Sequence, residues 1–155
     1  MNPNPLDQVR ADIHEIAPHF PTHCLEHAIR NSHRLIRGRY SDDKGNGCPL
    51  FLLSETQPPS RRIFSRETLT KFFTGGEDDL HRQLPQYLAP KYLVRLVDGD
   101  RTANERYPGV GQLSWSFLIE CLTEIVNDRK ANQAWISASE PFLVESQNQI
   151  CATKI

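Results

Sequence analysis

Five cationic or titratable side chains recur along one short stretch of this sequence: His23, His27, Arg30, Arg34 and Arg37, at spacings of 4, 3, 4 and 3. On a helix they would share an arc of about 80°. Leu25, Ala28, Ile29, Leu35 and Ile36 would take the opposite side, and Glu26 lies only on the flank. Like charges so spaced repel by a few tenths of a kcal/mol per pair. Such a stripe is either a solvated face whose arginines meet acids from other segments, or a binding face for phosphate, nucleic acid or an acidic protein surface. Arginine rather than lysine favours bidentate contacts over diffuse attraction.

The same stretch permits a second chemistry. His23 and His27 stand at i and i+4 and could bind one metal ion from one face of a helix. His19 comes four residues earlier, but Pro21 intervenes, and Cys24 points about 100° away from His23. A third ligand would have to come from elsewhere, and the neighbouring arginines would repel a cation.

Farther along, Gly45-Asn46-Gly47 could turn backbone N–H groups toward a phosphate. No Lys-Ser/Thr follows it, so it is neither a Walker loop nor a dinucleotide fingerprint. Cys48-Pro49 resembles the Cys-Pro dipeptide of haem-regulatory motifs, in which a thiolate ligates iron. That resemblance would make Cys48 a haem ligand, with the apolar residues 49–53 as part of the pocket. The default for such a cysteine is a small buried side chain.

Other strings fail on their own chemistry. Asp98-Gly-Asp-Arg-Thr102 resembles the aspartate motif of haloacid-dehalogenase-like phosphatases, but fewer than sixty residues follow and no second βαβ unit is visible. As a calcium loop, Asp98, Asp100, Thr102 and Asn104 have the early spacing, yet Ala103 replaces the needed glycine and Gly109 the bidentate glutamate. Ser41-Asp-Asp-Lys44 matches a Ser-x-x-Lys motif by letter alone.

Helices must position these residues. Residues 5 to about 17 form the first, with Asn4 as cap, Pro5 at the first position and Leu6, Val9, Ile13 and Ile16 as its apolar stripe. The second is expected from Thr22, as cap, to about residue 37. Residues 38–48 read as loop. Residues 49–53 form either a helical turn or half of a hairpin with Arg62-Ile63-Phe64. Ser65 and Glu77-Asp78-Asp79 open further short helices, Gly75-Gly76 ends one, and Pro85 and Pro90 break or restart another. Tyr92, Leu93, Leu96 and Val97 suit a helix ended by Gly99, a strand being the alternative. Residues 98–112 read as loop. The longest helix is expected from 113 to about 130 and central, with Trp115 largely buried beside Leu118, Ile119, Leu122, Ile125 and Val126.

The fold class that follows is mainly α, a compact bundle of five or six helices with at most one short β-hairpin. Residues 1–130 form one domain and 131–155 a tail, partly packed or frayed. The length of 155 residues suits a single domain with its own core. Eighteen Lys+Arg against nineteen Asp+Glu give a net charge near −1, which lends nucleic acid no support. Cys24, Cys48, Cys121 and Cys151 include no CxxC pair, which points to reduced thiols in a cytoplasm. No secretory leader and no apolar run near the ~20 residues of a membrane span is visible. The expected function is a non-enzymatic binding or regulatory module whose cationic helix face meets an anionic ligand or acidic protein surface. The alternative is a haem- or metal-binding protein using Cys48, His23 or His27. No catalytic set can be assembled.

Overall fold

A computed structural model describes residues 4–58, 60 and 88–138. The protein is mainly α: five helices and no strand occur among these residues. They are α1 (Pro5–Ile16), α2 (Thr22–Arg30), α3 (Pro49–Ser54), α4 (Leu88–Asp98) and α5 (Trp115–Ala138). Short 3-10 turns span Ala17–His19, Ser32–Arg34 and Arg101–Glu105. The readings at Ser65, Gly75-Gly76, Glu77-Asp78-Asp79 and Pro85 lie outside the described residues. None of the described helices is long and apolar enough to cross a membrane.

α1 starts as its residues dictate. The Asn4 Oδ1 accepts the Leu6 N–H at 3.0 Å, and Pro5 occupies a position whose N–H would have no partner. Val9, Ile13 and Ile16 are buried, whereas Leu6, expected on the same stripe, is exposed. Asp12 also sits on the buried side.

α2 departs from expectation at both ends. Pro21 is its N-cap, so Thr22 is the first helical residue and no side chain caps the turn. The helix stops at Arg30 instead of continuing to about 37. Asn31 follows, and its side-chain amide donates to the His27 carbonyl at 2.8 Å, taking an acceptor at the last turn. After one 3-10 turn the backbone becomes extended at Leu35. There the Gly47 N–H donates to Arg34 O and the Ile36 N–H to Gly47 O, both at 3.0 Å. Pairing with the far end of the 38–48 loop thus replaces the last two helical turns. Only glycine fits at 47, because a Cβ there would lie 2.1 Å from Phe51 Cδ2 and 2.6 Å from the Tyr40 carbonyl oxygen.

Residues 49–54 adopt the helical alternative, with Cys48 as N-cap and Pro49 at the first position. The hairpin partner, Arg62–Phe64, lies outside the described residues. α4 tolerates Pro90 because it falls in the first turn, where an N–H is not needed, and Gly99, at φ 73°, ends the helix. α5 begins two residues later than expected and passes through residue 130 without interruption.

α2 packs on α3 and α5, and α1 packs on α4 and α5. Leu25, Leu52, Leu96, Leu118, Leu122 and Val126 belong to one continuous core. Trp115 is half-buried at its rim, not deep inside, because it opens the helix and covers an arginine described below.

Candidate functional site

The stripe expected on one helix face is divided in the structure. His23, His27 and Arg30 lie on α2, while Arg34 and Arg37 lie on the chain beyond it. His23 is exposed, with its Nε2 3.6 Å from the Cys24 sulfur. That sulfur is buried and also lies 3.3 Å from Thr56 Oγ1. His27 Nε2 is 2.7 Å from Glu55 Oε1, just past α3.

Arg34 joins the same carboxylate. Its Nη1 donates to Glu55 Oε1 at 2.8 Å and its Nη2 to Oε2 at 2.6 Å. Its Nε and Nη2 both donate to the Gly45 carbonyl, and Nη1 reaches Asn31 Oδ1 at 3.3 Å. This planar fork ties the end of α2, the loop and the end of α3 together, a geometry lysine could not copy. Hydrogen bonds from Arg34, and then from His27, hold the Glu55 carboxyl below its ordinary range against the opposing effect of burial.

Arg37 turns elsewhere. Its guanidinium lies 3.9 Å from the Trp115 ring centroid, and Nη1 donates to the Val97 carbonyl at 2.7 Å. Burial lowers its pKa, with Asp98 opposing. Burial also raises the Asp98 carboxyl, which accepts the Gly38 N–H at 2.6 Å. Arg30 alone of the three arginines is exposed and makes no hydrogen bond or ion pair among the described residues. The structure therefore brings His27 and Arg34 together, sends Arg37 to α5, and leaves His23 and Arg30 on the surface.

Two of the three N–H groups of Gly45-Asn46-Gly47 are not open to a phosphate. The N–H groups of Lys44 and Asn46 donate to Asp42 Oδ1 at 2.9 and 2.8 Å, and that of Gly47 goes to Arg34 O. Asp100 likewise serves locally, accepting the Thr102 N–H at 2.9 Å as cap of a 3-10 turn. Cys48 is 1% exposed, and burial pushes its thiol up to about 11. The apolar cavity beside it, lined by Leu50, Leu53, Val94 and Leu122 among others, measures about 40 Å³. A haem would need far more room and an accessible thiolate. Among the described residues no group of three or more His, Cys, Asp or Glu side chains is placed to hold a metal ion, and His27 already faces Glu55.

Sequence reasoning missed Glu55, whose position after a short apolar run carries no sign that it would meet α2. It also missed a buried network. Asp12, 1% exposed, accepts from Arg106 Nε and Nη2 at 2.6 and 2.7 Å, from Gln8 Nε2 at 2.8 Å and from the Tyr107 hydroxyl. Burial, and then the bond to Asp12, push the Tyr107 hydroxyl well above its usual range. Here a signal existed: Asp12 falls between Val9, Ile13 and Ile16 on the apolar side of α1, where a carboxylate needs a buried partner.

The chain matches no family model, no curated protein and no solved structure.

Proposed function

We propose that the protein is a non-enzymatic binding or regulatory module, and that the exposed side of α2, with Arg30 and His23, meets an anionic ligand or an acidic protein surface. The observation that carries the reading is the state of Arg30. Arg34 has a carboxylate, Arg37 has a carbonyl and an aromatic ring, and Arg30 keeps its charge in water with no partner among the described residues. His33, one 3-10 turn later, is exposed as well. The Arg34–Glu55 pair favours a defined course for the chain beyond Arg30, so less ordering remains to be done on binding. A cytoplasmic setting belongs to the same proposal, supported by Cys24, Cys48 and Cys121, which are buried, unpaired thiols.

The test uses fluorescein-labelled heparin as the polyanion probe. The logarithm of the affinity should fall linearly with the logarithm of salt concentration, and the double variant His23→Glu/Arg30→Glu should lose binding while its melting temperature stays unchanged. Heparin binding that survives in the folded double variant would overturn the reading.

A further inference from the structure

A second surface lies at the other end of α2. Between the turn that joins α1 to α2 and the middle of α5 runs a groove of about 860 Å³, walled by His19, Pro21, Thr22, Arg129, Lys130 and Asn132 among others. Among the described residues no aspartate or glutamate lines it. Its volume lies within the range of small-molecule sites.

Arg129 gives the groove a fixed charge. Its Nη1 donates to the Phe20 carbonyl at 2.9 Å and to Thr22 Oγ1 at 3.2 Å, and its Nη2 to the Ala17 carbonyl at 2.9 Å. All three acceptors are neutral, so the guanidinium is held in place without being neutralised. They use three of its five N–H donors. Lys130 adds a second cation, drawn at 3.4 Å toward Glu26, which lies outside the lining. The wall also contains the start of the nine-residue α2, where Pro21 supplies no side-chain acceptor. The N–H groups of Thr22 and His23 accordingly have no partner among the described residues.

We infer that this groove binds a small phosphate-bearing ligand, with Arg129 as its fixed cationic anchor, Lys130 as a mobile second cation, and Thr22, Asn132 and the first N–H groups of α2 as hydrogen-bond donors. Arginine and backbone N–H groups share the geometry that oxyanions accept. The site does not depend on the Arg30 surface proposed above.

The experiment titrates inorganic pyrophosphate into the full-length protein and follows amide 15N–1H correlation spectra, with sodium chloride at matched ionic strength as control. The Thr22 and His23 amides should shift saturably with pyrophosphate and not with chloride. Arg129→Gln should weaken binding at least tenfold. Asn132→Asp, which adds a carboxylate on an exposed position of the groove, should do the same without disturbing the fold. Arg30→Glu should leave pyrophosphate affinity unchanged, which separates this site from the α2 surface. If Arg129→Gln fails to fold, the wild-type titration and Asn132→Asp still decide the matter. No saturable shift at these amides up to about 10 mM, the edge of specific small-ligand affinity, would overturn the inference. Unchanged affinity in folded Asn132→Asp would overturn it too.

Discussion

Arg34→Ala should destabilise the protein, whereas Arg30→Ala, four residues earlier, should not. In the wild type the Arg34 guanidinium makes two contacts to Glu55, two to the Gly45 carbonyl and one to Asn31. Both partners of the ion pair are largely covered, at 21% and 27% side-chain exposure. Hydrogen bonds to charged groups contribute about 1.5–3 kcal/mol each when sheltered, and exposed pairs below about 1 kcal/mol. Glu55 would keep His27, and water can reach the vacated side. A loss of about 2–3 kcal/mol follows for the whole fork. With a urea m-value near 2 kcal/mol/M, the unfolding midpoint should drop by about 1–1.5 M at unchanged slope. Arg34→Lys should recover under half of the loss, since an ammonium cannot span both carboxylate oxygens and the carbonyl. Arg30→Ala should stay within about 0.5 kcal/mol of wild type. Equal, small effects at the two positions would mean that both arginines are surface charges and that the divided stripe is wrong.

Three further outcomes are expected. Glu55 has a folded pKa below its unfolded value of 4.5; its contribution to stability is therefore present above that pH and is lost as pH falls through the lower folded value. Urea midpoints taken from about pH 6 to pH 2 should show this acid limb, flattened in Glu55→Gln; an identical limb in the variant would remove Glu55 from the account. Asp12→Ala should cost about 3–5 kcal/mol, because it leaves the buried Tyr107 hydroxyl and the largely covered Arg106 without their shared acceptor, and a loss under about 1 kcal/mol in urea unfolding would mean that water already solvates the site. Cys48, nearly inaccessible and with its thiol pushed up to about 11, should resist thiol reagents at neutral pH until the protein unfolds, and a haem titration should give the same spectrum in wild type and Cys48→Ala; a Soret band that the variant abolished would restore Cys48 as a ligand.

The parts of the fold set by neighbours in sequence were readable. Asn4-Pro5 starts α1 by a local hydrogen bond and a pre-set φ, and Gly99 stops α4 because only its backbone turns so readily there. The apolar arc from Leu118 to Val126 places α5 in the core for reasons that need no partner to be known. The end of α2 was harder. Ile36 and Arg37 fit the helical period, but Asn31-Ser32-His33 are weak helix formers, and a contact with Gly47 decides between the two. Such a contact depends on where an eleven-residue loop returns, which periodicity does not encode. The site failed for the same reason: Glu55, Val97 and Trp115, which hold Arg34 and Arg37, lie 21, 60 and 78 positions from the arginines they meet. Asp12 is the opposite case, readable in retrospect from a carboxylate set among Val9, Ile13 and Ile16.

What a helical wheel assigns is a side of a cylinder, and for arginine that is weak information about function. The side chain is long, its fork has five donors, and it stays charged under almost any burial. In this protein it repeatedly joins distant segments: Arg34 to Glu55 and the loop, Arg37 to the last turn of α4, Arg106 to α1, and Arg129 to the carbonyls that follow α1. Two of these, Arg37 and Arg129, satisfy carbonyl groups at the ends of helices, where the partial negative charge of the backbone favours a cation. A row of arginines is therefore compatible with a wholly structural role. The property that separates a binding arginine from a structural one is whether a carboxylate already neutralises it or, as at Arg37, an aromatic ring already covers it. Arg34 and Arg106 fail that criterion, each closed on an acid in a bidentate pair. Arg30 and Arg129 meet it in two different ways, one free in water and the other fixed by neutral oxygens. An anion arriving at Arg129 would find its partner already ordered, and one arriving at Arg30 would have to order it. For equal contacts the groove should therefore bind small anions more tightly than the α2 surface, while the α2 surface should depend on many weak contacts and be the more sensitive to salt.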